Sequence, residues 1–532
     1  MSQQQFIDDI ANGYKFQGES MILGSAKYKD EVVKESFIRV PLKTLNRHGL
    51  IAGATGTGKT KTLQIVAEQM SACGIPSLVM DIKGDLSGIA VAAADNPKLH
   101  ERHAKIGIPF IPSNSPVEFL SLSGEKGIRL RATVSEFGPV LFSKILDLND
   151  TQSGVISLIF KWCDDQKLPL LDLDDVKKVL QYISNEGKTA LKEEYGTISS
   201  VTVGTIMRKI IELEQQGGSV FFGELSFDPA DLVRTDYSGK GIISVLRVTD
   251  IQDKPKLFST FMLQLLAEIY ATFPEVGDLE KPKLCLFIDE AHLVFSEASK
   301  VLLDQIETIV RLIRSKGVGV YFCTQGPDDI PDKVLAQLGL KIQHALRAFT
   351  AKDRKAIKTA SENFPISTHY KVDELLTTMG IGEAIVTALN EKGIPTPIAH
   401  TFLRAPQSRM DILTESEQDA IIQRSALVPK YAQKYDRVSA HELLTAKIEE
   451  AQSQEVQEEL SRQRQGTNTT TRQRQEKSTA EKVLSSPTTR SIGTTIAREL
   501  TRGLLGVLGV KPTPTRRTTS TRNTSNKSFP WF

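Results

Sequence analysis

The chain has 532 residues, 40% hydrophobic and 24% charged, ordinary globular values that call for two or three cores and exclude wholesale disorder. Its formal charge of +2 argues at first sight against a strongly basic nucleic-acid binder. That average hides an asymmetry: residues 461–532 carry 14 Lys/Arg against 3 Asp/Glu, leaving 52 against 61 in residues 1–460, so a body of net −9 precedes a tail of net +11.

The N-terminus lacks the basic start and apolar run of a signal peptide, and no apolar stretch reaches the ~20 residues of a membrane span, so a cytoplasmic protein is expected. Cys73, Cys163, Cys285 and Cys323 lie far apart without zinc-ligand spacing and read as small hydrophobes in a reducing compartment.

Residues 1–40 read as a short N-terminal extension. From Pro41 an α/β pattern begins, taken as residues 41–136 of a nucleotide-binding core. Gly49 to Ala54 is a strand; Thr55-Gly56-Thr57-Gly58 leads into a helix with Leu63, Val66, Ala67 and Met70 on one face, stopped by Gly74-Ile75-Pro76. Ser77 to Ile82 is the next strand, completing a βαβ unit that requires a parallel sheet. Residues 137–237 switch to helical periodicity (Phe142–Leu148, Val155–Trp162, Val176–Ile183, Val203–Leu213) and read as an all-helical insertion.

The core resumes over 238–350. Gly241 to Val248 is a strand, Leu257 to Phe273 a helix, Leu284 to Ile288 a strand, Ala298 to Lys316 a helix closed by Gly317, and Val318 to Thr324 a strand. Residues 351–436 form a C-terminal extension containing a hairpin, Glu383–Leu389 and Pro395–Phe402. Residues 437–532 turn polar and basic and are expected to be mostly disordered, with an exposed helix over Ala446–Arg464. Ile496, Leu500, Leu504 and Leu508 make a helical stripe suited to packing on its own protein or a sister subunit, or to docking or a membrane surface, and Phe529-Pro530-Trp531-Phe532 is an aromatic tip open to a partner or simply frayed.

Gly53-Ala54-Thr55-Gly56-Thr57-Gly58-Lys59-Thr60 matches G-x-x-x-x-G-K-[ST] between a strand and a helix, with Lys61 just inside. Its glycines turn backbone N–H groups toward phosphate oxygens; Lys59 would reach the β/γ-phosphates and Thr60 would ligate Mg²⁺. Asp289 and Glu290 end an apolar strand, Asp289 as a Mg²⁺ ligand and Glu290 as the group that polarises the attacking water, or both as helix caps. Gln325 ends Val318–Thr324, as a contact to the γ-phosphate or the attacking water, or as a plain strand-end residue. Asp81 ends its strand as a site carboxylate or an Asx turn. Arg314 and Arg311 share a face with Asp304 and Glu307, a solvated salt-bridge pattern; Arg314, Arg47 and Arg347 are also the candidates for a charge-neutralising arginine. Lys254, Lys256, Lys281 and Lys283 are local positive charge on Pro-punctuated loops.

Together Asn46-Arg47-His48-Gly49, Asp81-Ile82-Lys83-Gly84-Asp85-Leu86, Asp289-Glu290-Ala291-His292-Leu293, Leu312-Ile313-Arg314-Ser315-Lys316-Gly317-Val318-Gly319, Gln325 and Gln343-His344-Ala345-Leu346-Arg347 resemble the HerA/FtsK superfamily of hexameric DNA-pumping ATPases, within it the YjgR-like bacterial branch of HerA-like proteins. The resemblance spans residues 41–405. It implies a RecA-like P-loop fold, ATP and Mg²⁺ as cofactors, a hexameric homo-oligomer and DNA as the polymer moved. It also implies ATP-site roles for Lys59, Asp81, Glu290 and Arg314, with Arg47 near the nucleotide. Only 40 residues precede the core, too few for the N-terminal β-barrel of archaeal HerA. The expected function is therefore a Mg²⁺-dependent ATPase acting as a ring-forming DNA translocase or helicase-like motor. The alternative is an assembly ATPase acting on a protein partner, recruited through the tail.

Overall fold

The computed structural model describes residues 2–468 apart from 252–253, 278, 297–299, 349, 434 and 436. The stripe at 496–508 and the aromatic tip at 529–532 lie outside the described residues, as does most of the basic tail.

Twelve strands among the described residues form one sheet: β1 (Ser20–Tyr28), β2 (Glu31–Pro41), β3 (Gly49–Ala52), β4 (Ser77–Asp81), β5 (Val117–Ser121), β6 (Ile128–Arg129), β7 (Ile243–Arg247), β8 (Leu284–Ile288), β9 (Val318–Thr324), β10 (Leu340–Gln343), β11 (Glu383–Thr387) and β12 (Ala399–Leu403). Their order is β2-β1-β12-β11-β10-β3-β9-β8-β4-β7-β5-β6. From β10 to β6 all neighbours are parallel, which is the P-loop core. From β10 to β2 they are antiparallel.

The predicted hairpin is thus β11–β12, and the N-terminal segment is part of the same sheet: Gly24 pairs with Leu403 and Ala26 with Thr401. Gly24 is obligatory there, because a Cβ would lie 2.0 Å from the carbonyl oxygen of Phe402.

Parallel strands covered on both faces must be apolar on both. In β8, Leu284, Leu286 and Ile288 enter one core while Cys285 and Phe287 enter the other. The second core holds Leu63, Val66, Ala67 and Met70 of the helix Lys59–Ala72, together with Phe6 and Ile10 of the N-terminal helix Gln3–Gly13. The first holds Phe261 and Leu265 of the helix Pro255–Thr272 and the residues of the insertion, whose helices include Val134–Ile145, Asp150–Asp165, Leu173–Ser184 and Ser200–Gln215. The four cysteines are free, three buried and Cys73 half-buried. Among the described residues no helix is long and apolar enough to cross a membrane.

After β12 the chain runs as a strap. Ser408 and Arg409 bond to Gln64 of the helix Lys59–Ala72, the Leu413 N–H donates to Ser87 Oγ beyond β4 (2.9 Å), and Gln418 accepts from Arg247 at the end of β7 (2.8 Å). It then reaches the insertion, where the N–H of Ala440 donates to Pro169 O (3.0 Å) and that of His441 to Asp175 Oδ1 (2.8 Å). Ala440 and Leu444 are buried. Composition reads residue 437 onward as tail because its charge masks these two apolar anchors. The helix Ala440–Asn468 covers the expected exposed helix at 446–464. Residues up to 451 form one compact unit, and the described residues 452–468 lie outside it.

Candidate active site

The P-loop follows β3 at the carboxyl edge of the parallel strands, where open α/β sheets bind ligands. Gly53 N–H donates to Thr324 O (3.3 Å) and Ala54 N–H to Ala345 O (2.9 Å), so β9 and the end of β10 hold the loop from both sides. Gly53 and Gly58 have φ of +154° and +110°, and a Cβ on Gly53 would sit 2.4 Å from that of His344. Lys59 is buried, and its Nζ donates to Gly53 O (2.6 Å) and Ala54 O (3.2 Å) across the loop. Burial, then Lys83, lowers its pKa, and Glu290 and Asp289 oppose that shift. The N–H groups of Lys59, Thr60 and Lys61 open the helix and lack intrahelical acceptors, as at any helix start. Lys61 Nζ binds the strap at Met410 O.

Asp289 and Glu290 follow β8 and are both buried. Asp289 Oδ1 accepts from the N–H of Glu290 (2.9 Å), while Oδ2 is buried without a hydrogen-bond partner. Burial, then Glu290, pushes the Asp289 carboxyl up to about 6. An orphaned, buried carboxylate oxygen beside the P-loop is what a divalent cation would satisfy, so the residues present fit Mg²⁺, which Asp289 and the expected Thr60 would hold. Among the described residues no cluster of three or more His, Cys, Asp or Glu suggests a metal held by protein alone. Mg²⁺ at a nucleotide typically keeps water and phosphate ligands.

Glu290 Oε1 is ion-paired with Lys83 Nζ. Asp81 is buried, and burial pushes its carboxyl up to about 7. It accepts N–H bonds from Gly84 (2.8 Å), Asp85 (3.1 Å) and Leu86 (3.2 Å), so the turn alternative describes its contacts. Gln325 is exposed just past β9.

The arginines separate by edge. Arg347 lies four residues beyond the end of β10, on the P-loop edge, and is exposed. Arg47 precedes β3 and Arg314 precedes β9, so both sit at the amino edge; the four residues of β3 alone put about 13 Å between Arg47 and the loop. Arg47 lies against Gly393 in the β11–β12 connection, and Arg314 is exposed near buried His48. The structure does not bring Arg47 or Arg314 to this chain's own P-loop. The lysine loops divide the same way: Lys254 follows β7, whereas Lys281 and Lys283 precede β8, and they form no single patch.

The model of the helicase HerA-like C-terminal family matches residues 27–513. The chain belongs to that family. It is 20% identical over 364 residues to the DNA double-strand break repair helicase HerA of Sulfolobus acidocaldarius, covering 68% of this chain and 66% of the relative. It is 23% identical over 366 residues to the protein of that name from Sulfurisphaera tokodaii, covering 66% and 64%. The chain thus spans just under two thirds of the length of these relatives. A solved structure of the bacterial conjugative coupling protein TrwBdeltaN70 is similar at TM-score 0.48 and 13% identity, over 76% of this chain and 94% of that one. Family membership and the intact loop make this HerA-like chain a P-loop ATPase.

Two site residues carry contacts that sequence alone did not assign. Lys83 stands in a string that signals the family, but its pairing with Glu290 joins loops far apart in the chain. His344, buried, bonds Thr62 Oγ1 (2.9 Å) beneath the P-loop. The sequence signalled it only through the Gln343–Arg347 string and its place after a short apolar strand.

Proposed function

We propose that this HerA-like chain hydrolyses ATP with Mg²⁺ as a ring-forming motor that moves or remodels DNA. The observation that carries the reading is the meeting, at one sheet edge, of a P-loop lysine with Asp289 and Glu290, which both act electrostatically on Lys59.

The P-loop N–H groups and Lys59 bind and orient the phosphates. Mg²⁺, when bound, neutralises charge on the β- and γ-phosphates. Glu290 Oε2 is buried and has no hydrogen-bond partner, although His292 Nδ1 lies within ion-pairing distance at 3.2 Å. That oxygen accepts a proton from water as the water oxygen bonds the γ-phosphorus, and the bond to the β,γ-bridging oxygen breaks to release ADP.

A ring is supported by the amino-edge position of Arg47 and Arg314, which suits them to the P-loop of a neighbouring copy. Arg347, on the P-loop edge, is the candidate within the chain. Asp81 and Gln325 act on the site through the loop after β4 and the edge of β9.

DNA as substrate rests on the names of the relatives and must contend with a body charge of −9. ATP turnover is measured against duplex DNA at rising salt. Stimulation that weakens with salt is expected of phosphate tracking. Flat turnover at low salt would replace DNA with a protein partner and make the chain an assembly ATPase.

A further inference from the structure

The two oxygens of Glu290 are treated differently: Lys83 holds Oε1, and Oε2 is left without a hydrogen-bond partner. The backbone beneath is fixed independently. Glu290 sits at φ +45°, a left-handed conformation uncommon for a residue with a side chain. Its N–H is taken by Asp289 Oδ1 (2.9 Å), its carbonyl by the N–H of Leu293 (2.9 Å), and the next N–H, of Ala291, donates to Cys323 O on β9 (2.9 Å). A carboxylate on a fixed backbone still rotates about its side-chain bonds; Lys83 restrains that rotation at Oε1, while His292 Nδ1 stands 3.2 Å from Oε2 without a hydrogen bond to it.

Lys83 is itself supported. It leaves β4, which pairs with β8, on a turn whose three N–H groups are gathered by Asp81 and whose Gly84 adopts φ +76°. The Lys83 side chain is 42% exposed and that of Glu290 7%, so the lysine reaches from the surface into the site. We infer that Lys83 is a positioning residue that fixes Glu290 by one oxygen so that the other faces the attacking water, and that Asp81 acts at one remove by shaping the turn that carries Lys83. The inference rests on the reading of Glu290 as the water-activating base.

The test compares Lys83→Met, Lys83→Arg, Glu290→Gln and the Lys83→Met/Glu290→Gln double variant with the full chain. It measures kcat and KM for ATP, affinity for N-methylanthraniloyl-ATP, and thermal midpoint. Lys83→Met should lower kcat on the order of 100-fold, the scale of a misplaced reacting group, with affinity and midpoint little changed. Lys83→Arg should recover most of that loss, and Lys83→Met should add nothing to Glu290→Gln. Wild-type kcat in Lys83→Met, a loss tracking affinity, or additive losses in the double variant would overturn the inference. Turnover in Glu290→Gln equal to wild type would instead overturn the assignment of the base.

Discussion

Buried Glu68 on the P-loop helix accepts three hydrogen bonds from the strap: from the N–H and hydroxyl of Ser408 (3.2 and 2.8 Å) and from the N–H of Gln407 (2.7 Å). With Lys61 held to Met410 two turns earlier, this helix is fastened to a segment more than 300 residues away.

Glu68→Ala would leave those donors without their acceptor, at about 2–3 kcal/mol. The expected outcome is a lower denaturation midpoint and faster proteolysis within residues 404–413. An unchanged midpoint would show that Glu68 does not hold the strap.

Lys59→Ala and Glu290→Gln should fail in different ways. The first removes the phosphate-binding ammonium and should weaken nucleotide affinity together with turnover. The second keeps size and backbone, so it should bind the nucleotide normally and lose at least about 100-fold in kcat. Equilibrium titration alongside turnover separates the two.

Arg314→Ala copies keep their P-loop, and Lys59→Ala copies keep Arg314. If the arginine serves a neighbour, mixing the two inactive variants should restore turnover, because roughly a quarter of head-to-tail contacts in an equal random mixture carry both groups. A mixture as inactive as its components would place the arginine's role within one chain. The same design applies to Arg47.

Two buried histidines set an acid limit. His48 Nδ1 accepts the N–H of Val320 (3.0 Å), and burial pushes both His48 and His344 down to about 4. Between about pH 6.5 and 4 each is protonated when unfolded and neutral when folded, so the unfolded state binds more protons and stability falls as pH falls. Each contributes a loss on the order of 3 kcal/mol across that window. The buried carboxyls of Asp81 and Asp289, raised to about 7 and 6, act in the opposite sense over the same window, so the histidine contribution is read by difference: from pH 7.5 to 5 the denaturant midpoint of the wild type should fall relative to that of His48→Gln.

The tail is best removed after residue 451. Deleting 437–532 also strips the ion pair of exposed Arg437 with Glu224 and, at about 2–4 kcal/mol, the buried Ala440 and Leu444. Deleting 452–532 should leave the midpoint unchanged. DNA binding lost with this shorter deletion, ATPase intact, would identify the basic tail as the nucleic-acid arm.

What the sequence made legible was local. The P-loop shows because its glycines, lysine and threonine are contiguous, and β8 shows because an unbroken apolar run ends in two acids. The insertion shows through its 3.6-residue period. Pairings across long stretches of chain left little trace. The join of Gly24 to Leu403, the Lys83–Glu290 pair and the strap on Glu68 depend on which loops the sheet order brings together. Arg47, Arg314 and Arg347 are indistinguishable by composition, and only the parallel direction of β3, β9 and β10 sorts them by edge.

That sorting has a consequence for assembly. If Arg314 is lent across a head-to-tail contact, each chain is a donor at one edge and a recipient at the other. An open row of copies then always ends in one recipient with no donor, and closing the row completes the last site. Turnover per chain would rise at closure itself, making the circle, rather than the subunit, the smallest fully competent unit.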